Sequence, residues 1–362
     1  MPNVRSLFDA LNRVDVLNRC KPGGWTQDKV IDLAFEQVDA AGSCLVIVNT
    51  KKVAQALYGL CESRPDIKAV HLSTSMCPAH RKKMLREVIQ RLGAVPPLPT
   101  LCISTQLIEA GVDVDFGSVI RYAAGLDSIA QAAGRCNRNG KRAKGFVYVV
   151  NPCSEDENLR PLPDIEKGRE IGMGVLNDYQ TDPASFGHNP IGPEAMNLYY
   201  ERYFFARTRE MSYAISRKEL GRDDTLLNLL SLNSEAVNEF ARVHRNAPAL
   251  HLRQSFMAAG KAFKAIDTPT QGLIVPYGSE GKELVNDLCA AYQLENEYEL
   301  LRRAQQFSVN VFPVLFDTLI KAHAIREIRA DTGIYCLADA RYYSEDFGLS
   351  DTPNGYMEAL NA

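Results

Sequence analysis

The sequence predicts an α/β fold: a parallel sheet with helices on both faces, followed by a helical linker region and a small α+β C-terminal domain. In the first 150 of the 362 residues, short β-branched runs alternate with amphipathic helical patterns. Such alternation specifies a parallel sheet covered by helices. After residue 151, polar segments that contain proline interrupt this pattern, as linkers do. A chain of this length suits two or three domains.

Each element of the first region has its own signal. Strands are predicted where β-branched and apolar residues cluster, at 13–18, 43–48, 68–73, 100–105, 118–123 and 145–150. Helices are predicted where apolar residues recur every three or four positions, at 25–41 with Thr26 as the N-cap, at 51–61, from Pro78 to Leu92, and around 127–137. Ligands are expected at the carboxyl ends of such strands.

The remainder is divided into two further regions, which gives predicted domains at 1–152, 153–268 and 269–362. Helical patterns fill much of 193–266, and the last region mixes strands such as GLIVPY and FSVNVF with helices at 281–292 and 296–306. The aromatic cluster of Tyr200, Tyr203 and Phe204 fits a helix that buries one face. Flanked by arginines, it could also stack bases.

Composition and charge exclude several classes of protein. Nine cysteines are scattered, odd in number and without a C-x-x-C pair, which argues against zinc and a disulfide framework and favours a reducing cytoplasm. No apolar run is long enough to anchor the chain in a membrane. Residues 1–150 carry 20 Lys and Arg against 13 Asp and Glu, a charge of +7 in a chain of net charge −3. A polyanion would prefer this first part.

One stretch, SIAQAAGRCNRNGK (128–141), concentrates candidate phosphate ligands. Gln131, Arg135 and Arg138 are spaced i, i+4, i+7, so in a helix all three would project from one face. The guanidinium group suits phosphate because its planar fork donates two parallel hydrogen bonds. Solvated or carboxylate-paired arginines on a surface helix would show the same spacing.

A second stretch, CISTQLIEAGVDVDF (102–116), lies about twenty residues upstream. A strand is predicted to end at Ser104 and Thr105, which places hydroxyls and backbone N–H groups at its carboxyl end. Gly111 and Asp113 follow, with the aspartate placed to reach a ribose hydroxyl. The threonine could also simply cap the turn.

Together the two stretches resemble a known pair of motifs. S-T-Q-x-x-E-A-G-V-D-V-D and D-S-x-x-Q-A-A-G-R-C-N-R-x-G-K resemble motifs V and VI of superfamily 2 helicases, and their wording is most similar to the CRISPR-associated helicase-nuclease of type I interference systems. The C-terminal part (TPTQGLIVPYG, FSVNVFP, GIYCL and YYSEDFGLS) also resembles that family and suggests its I-C branch. The resemblance implies a second RecA-like lobe, a linker and an accessory C-terminal domain over the path of single-stranded DNA.

The resemblance also implies roles for particular residues. Arg135 and Arg138 would be catalytic arginine fingers that reach the γ-phosphate of ATP. Nucleotide binding is implied for Gln131, Gly111 and Asp113. Contacts with DNA are implied for Asn49, Thr50, Ser73, Ser104 and Thr105. The stretch around Ser73 departs from the family's L-H-S-R-F wording, so its role and that of His71 are the least supported.

The chain lacks motifs that a complete helicase-nuclease needs. No P-loop occurs; PYGSEGKE (276–283) has Pro276 where the first glycine belongs and Glu283 where Ser or Thr belongs. There is no D-E-x-H or D-E-x-D box and no His-Asp pair for a two-metal nuclease site, and no metal ligands are predicted. ATP and Mg²⁺ would therefore be held mainly by another lobe.

The resulting expectation is the C-terminal half of an ATP-dependent single-stranded-DNA translocase of CRISPR antiviral defence, inactive alone. Its partners would be the first RecA-like lobe and nuclease domain, on the same or a separate chain, single-stranded DNA, and an RNA-guided surveillance complex, in the cytoplasm and not at a membrane. Two alternatives stay open: another superfamily 2 helicase of repair or restriction, and a non-catalytic regulator that binds DNA or the complex.

Overall fold

The protein is described by a computed structural model over residues 13–109, 111–208, 210–264, 270–290, 297–329 and 332–354. It forms two compact units, one comprising residues 1–199 with 270–362 and the other residues 200–269. The domain limits at residues 152 and 268 stay predictions.

The first unit is built on a six-stranded parallel sheet in the order β1-β6-β5-β2-β4-β3. The strands are β1 Val14–Asn18, β2 Ser43–Ile47, β3 Lys68–Leu72, β4 Thr100–Ser104, β5 Ser118–Tyr122 and β6 Gly145–Val150. All six coincide with strands predicted from the sequence to within one residue at either end. The predicted α/β fold class is therefore confirmed.

Four helices cover the two faces of this sheet: α1 Gln27–Ala41, α2 Lys51–Leu60, α3 Pro78–Gly93 and α4 Leu126–Ala133. Side chains alternate between the faces of a strand. In β2, Cys44 and Val46 pack with α1 and α2, whereas Leu45 and Ile47 belong to the core formed with α3 and α4. Because both faces are covered, the central strands are apolar throughout.

Two helices follow the sheet, and a smaller second sheet comes near the end of the chain. The helices are α5 Pro163–Thr181 and α6 Pro193–Ala206. The second sheet has the order β10-β9-β12-β11 and belongs to the first unit. Its strands are β9 Gln271–Ile274, β10 Ser308–Val311, β11 Ile325–Glu327 and β12 Tyr335–Leu337, accompanied by α11 Gly278–Ala290, α12 Glu297–Ala304 and α13 Pro313–Lys321 and by the hairpin of β13 Tyr343–Ser344 and β14 Gly348–Leu349.

In residues 210–264, the second unit has four short α-helices and one two-stranded ribbon. The helices are α7 Arg217–Leu220, α8 Leu226–Leu230, α9 Ser234–His244 and α10 Phe256–Ala262, and the ribbon pairs β7 Ala214–Ile215 with β8 Asp224–Thr225. Its buried core is small: Ile215, Leu229, Ala259 and Ala262.

The β13–β14 hairpin packs against the lobe beside β3. The Nδ1 atom of His71 lies 2.9 Å from the carbonyl oxygen of Asp346, and the Nδ1 atom of His80 lies 3.0 Å from the hydroxyl of Tyr343. Both imidazole rings are almost fully buried, and neither Nε2 atom has a protein partner in the described part of the chain. The hairpin therefore depends on uncharged histidines.

We expect the free energy of unfolding to fall as the pH drops from 6.5 toward 4. Burial lowers the pKa of His71 to about 4, against an ordinary value of 6.5. Between these values the unfolded chain binds a proton at this ring and the folded chain does not, so acid favours unfolding. The loss between pH 7 and pH 5 is about 2 kcal/mol by urea denaturation. His71→Phe should flatten this dependence and His251→Gln, at an exposed ring, should not; equal slopes in the wild type and His71→Phe would contradict the assignment.

Candidate functional site

Four of the predicted site residues lie where two central strands end. Asn49 and Thr50 follow β2, Ser104 ends β4, and Thr105 follows it directly. The two strands are neighbours, with Ile47 opposite Ser104 in register. The structure thus brings these residues together at the carboxyl edge of the sheet, where ligands of parallel sheets bind.

Two hydroxyls at this edge, those of Thr50 and Ser104, are engaged locally. Thr50 caps α2 by accepting a hydrogen bond from the backbone N–H of Val53 at 3.3 Å. The buried Ser104 hydroxyl donates to the carbonyl of Thr105 at 2.9 Å. Thr105 is also buried and begins the 3₁₀ turn Gln106–Ile108. Their contacts with DNA stay predictions.

Ser73 lies beyond the end of β3 and is fully buried. Its hydroxyl accepts a hydrogen bond from the backbone N–H of Ser75 at 3.3 Å. The hairpin approaches closely here, since the N–H of Leu349 donates to the carbonyl of Ser75 at 2.8 Å. A contact of Ser73 with DNA would require this cover to open, and its role stays a prediction.

The loop of motif V is open. Gly111 is exposed and has a φ of +72°, which favours glycine, and a Cβ atom there would meet nothing within 4 Å. The side chain of Asp113 is 86% exposed. Both residues are thus exposed to solvent.

The helix predicted around 127–137 is shorter than expected, since α4 ends at Ala133. The following backbone pairs with Phe116, whose N–H donates to the carbonyl of Arg135 at 2.9 Å and whose carbonyl accepts from the N–H of Asn137 at 3.0 Å. Asn137 has a φ of +45°. These bonds hold the backbone away from a helical path.

The prediction that Gln131, Arg135 and Arg138 project from one helical face is therefore wrong. Only Gln131 lies on α4, where it is exposed, and the arginines follow the end of the helix. Their destinations differ: Arg135 turns inward and Arg138 lies at the surface.

Arg135 is held against the backbone of motif V. Its Nε donates to the carbonyl of Ile108 at 3.0 Å and its Nη2 to the carbonyl of Glu109 at 2.6 Å. The residue is only 8% exposed. To reach a phosphate, this side chain would have to leave motif V.

Arg138 meets Asp113 in the open part of the site. Its Nε lies 2.8 Å from an oxygen of that carboxylate, and its side chain is 43% exposed. Its backbone N–H donates to the carboxylate of Asp115 at 2.7 Å. An exposed guanidinium beside an open glycine loop fits a phosphate ligand, so the donors present suit a nucleotide approaching from outside this lobe.

Sequence reasoning missed the residue at the centre of this edge, Arg121 of β5. It is fully buried and forms an ion pair with Glu109 at 2.8 Å. Its Nη1 donates to Asn49 Oδ1 at 2.7 Å and its Nη2 to the hydroxyl of Ser128 at 2.8 Å. Ser128 in turn donates to the other carboxylate oxygen of Glu109 at 2.7 Å. A single arginine in the apolar run SVIRYA was the available signal.

Asn49 extends this network toward α5. Its Nδ2 donates to the carbonyl of Ala123 at 3.0 Å and to the carboxylate of Glu157 at 3.3 Å, which also pairs with Arg169 at 3.4 Å. Asn49 is 6% exposed, so its amide serves the protein interior in this structure, and its contact with DNA stays a prediction. Burial raises the pKa of Glu157, opposed by its bonds with Asn49 and by Arg169.

The segment 276–283 comprises two loop residues after β9 and the start of α11, with a φ of +65° at Gly278. The described residues contain no cluster of three or more His, Cys, Asp or Glu side chains arranged for a metal ion. Within the same ranges, every helix is too short or too polar to cross a membrane.

The expectation that the aromatic cluster packs into a core is wrong for two of its members. Tyr200 and Phe204 are 39% and 47% exposed, and their rings stack on one another with centroids 5.7 Å apart. The apolar face of α6 is thus partly solvated. Base stacking by these rings stays a prediction.

Taken together, the sheet order, the strand-end polar residues and the motif V and VI loops define the second lobe of a RecA-like helicase. The comparisons narrow this class. Residues 40–141 match the family model described as CRISPR-associated nuclease/helicase Cas3, C-terminal. This chain is similar to the C-terminal half of Cas3 nuclease/helicases, so the resemblance predicted from the motifs is confirmed. Its assignment to the I-C branch stays a prediction.

Curated relatives share part of this sequence, and solved structures share its fold. The CRISPR-associated nuclease/helicase Cas3 of Haloferax volcanii is 46% identical over 94 residues, which are 25% of this chain and 10% of that protein. The crystal structure of T. fusca Cas3 has a TM-score of 0.54 at 13% identity, covering 90% of this chain and 39% of that one; a second structure of it contains ADP. A chain of a CRISPR RNA-guided surveillance complex, pre-nicking, has a TM-score of 0.51 at 13% identity, covering 90% of this chain and 41% of that one.

Proposed function

We propose that this chain is the ATP-sensing, DNA-gripping half of an ATP-dependent translocase on single-stranded DNA in CRISPR antiviral defence. The observation that carries the proposal is the exposed Arg138 paired with Asp113, which lies in the same loop as Gly111, on a lobe whose strand ends carry Asn49 and Thr105. The lobe thus presents an exposed candidate phosphate ligand and a candidate grip on a DNA backbone.

The nucleotide would be held mainly by a first RecA-like lobe, since this chain has no P-loop. When bound there, ATP with Mg²⁺ supplies the phosphoryl group whose hydrolysis drives translocation. Arg138, with Arg135 after its release from motif V, would stabilise the charge on that group. Asp113 and Gln131 would orient the nucleotide, and Gly111 would let it approach closely.

The partners follow from this arrangement. They are the first lobe and a nuclease domain, single-stranded DNA, and an RNA-guided surveillance complex, all in the cytoplasm. Thr50, Thr105, Ser104, Asn49 and Ser73 would contact the DNA backbone, which makes the grip tolerant of sequence.

The deciding experiment is an ATPase assay with and without single-stranded DNA, performed on this chain alone and on this chain combined with a P-loop lobe. We expect no turnover by the chain alone and DNA-stimulated turnover by the combination. Turnover by the chain alone would contradict the proposal that a separate P-loop lobe holds the nucleotide. A combination that binds DNA but never hydrolyses ATP would favour a non-catalytic regulator.

We also expect the chain to bind single-stranded DNA weakly and in a salt-dependent way. The first 150 residues carry a charge of +7, and binding to phosphates releases counterions. For about three neutralised phosphates, affinity should fall roughly 20-fold between 50 and 200 mM salt by fluorescence anisotropy. An oligomer of the same bases on an uncharged backbone is the control and should not bind. An affinity that does not change with salt concentration would contradict binding through the DNA phosphates.

A further inference from the structure

A fully buried arginine in the central strand of a sheet is not explained by stability. Arg121 has no exposed surface, and its ion-pair partner Glu109 is 5% exposed. Removing two such charges from water costs several kcal/mol each, and well-packed apolar residues of similar volume are often as stabilising. The advantage of an arginine at this position must therefore lie in the groups that its side chain holds in place.

We propose that Arg121 is a positioning residue that couples the DNA-facing strand ends to motif VI. The inference rests on the proposed function, because it assigns a regulatory link between the two halves of that site. Arg121 would not touch DNA or nucleotide itself. It would fix the distance between the segments that do.

The guanidinium group joins three segments that no secondary structure connects. Asn49 comes from the loop between β2 and α2, Glu109 from the middle of motif V, and Ser128 from α4. Their oxygens lie 2.7, 2.8 and 2.8 Å from nitrogens of Arg121. Because the guanidinium is planar and rigid, it sets the separation of these three groups. A lysine ammonium could not hold all three in the same geometry.

Glu109 then passes a displacement on to motif VI. Its carboxylate is fixed by Arg121 and Ser128, while its backbone carbonyl accepts the 2.6 Å hydrogen bond from Arg135. Only the 3₁₀ turn Gln106–Ile108 separates Glu109 from Thr105. A shift of the strand end on binding DNA would therefore move the groups that hold the buried arginine of motif VI.

Asn49 and its partners hold Arg121 in position from the other side. Asn49 accepts from Arg121 and donates to Glu157, whose carboxylate is paired with Arg169 of α5. A hydrogen-bond network that spans several elements transmits a displacement when its parts have two discrete arrangements. An experiment must therefore show that these residues have a second arrangement.

The test is hydrogen–deuterium exchange on this chain, with and without a 15-mer of dT. The variants are Arg121→Lys and Ser128→Ala; the second removes one hydroxyl and is the milder change. Ser118→Ala is the matched control, because Ser118 is a buried serine at the amino end of the same strand, bonded to the carbonyl of Phe146 at 3.2 Å.

Without DNA, both variants should exchange about fivefold faster or more at residues 106–109 and also at 134–138, and the control should not. In the wild type, dT binding should protect 104–105 and change exchange at 134–138. In the variants the protection at 104–105 should remain and the remote change should disappear, which a loss of stability alone would not produce.

Two results would overturn the coupling: variants that loosen only 106–109, or a change at 134–138 on DNA binding that survives in both. A wild type without any protection at 104–105 would instead refute the DNA grip of the proposed function. In that case, the exchange rates of residues 106–109 and 134–138 without DNA still test whether Arg121 couples these two segments.

Discussion

Replacing Arg138 by alanine is expected to lower the DNA-stimulated ATPase rate of this chain, combined with its P-loop lobe, by about 10³- to 10⁵-fold. The reason is that a guanidinium aimed at the transferring phosphoryl group stabilises charge that develops only in the transition state. The side chain is 43% exposed and its ion pair with Asp113 is solvated, so the fold should be retained. The measurement is kcat with saturating DNA, beside a melting curve.

Lys141→Ala is the matched control, since Lys141 is an exposed cation in the same loop. It should leave kcat within about twofold. Arg135→Ala should lower kcat similarly but also lower the melting temperature, because two hydrogen bonds to motif V are lost. Unchanged kcat in both arginine variants would remove the assignment of the fingers.

The strands of the lobe could be predicted because their signals are local. Both faces of β2 and β4 are buried, so their sequences are continuous apolar runs, and the intervening polar stretches mark their ends. Motifs V and VI were also predictable, since their residues are adjacent in sequence. The strand pattern and these two motifs were enough to identify the class of protein.

The end of α4 could not be predicted, since it depends on a contact between distant segments. Residues 130–137 keep an apolar periodicity compatible with a longer helix, but the backbone beyond Gly134 bonds to Phe116 instead. Tertiary pairing thus overrode local propensity. The opposite destinations of Arg135 and Arg138 follow directly from this early end.

The network of Arg121 was missed for a related reason. A lone arginine in a strand pattern looks like a polar residue on a solvated face, and its partners Asn49, Glu109 and Ser128 are 72, 12 and 7 residues away in sequence. Only the sheet order, with β5 next to β2, brings Asn49 to it. Burial of the charge is a property of the assembled sheet.

Replacing Arg121 by methionine is expected to cost about 3–5 kcal/mol of the free energy of unfolding at pH 7. The substitution leaves the carboxylate of Glu109 buried without its cation, with the hydroxyl of Ser128 as its remaining side-chain donor in the network. Glu109→Gln should cost less, because Arg121 keeps Asn49, Ser128 and the carbonyl of Tyr122 as acceptors. The double variant should recover most of the loss, and the cycle should be strongly non-additive.

The loss of Arg121 should make the free energy of unfolding depend on pH with a sign opposite to that expected from the buried histidines. Burial already raises the pKa of Glu109, and the rise is opposed by the charge of Arg121 and by the hydrogen bond from Ser128. Without Arg121 the pKa rises further, so the folded chain holds a proton that the unfolded chain releases. Lowering the pH from 7 to 5 should therefore narrow the stability gap between Arg121→Met and the wild type in urea denaturation. A gap that stays constant or widens, or a cost below about 1 kcal/mol at pH 7, would show that Glu109 is not a buried charge that depends on this arginine.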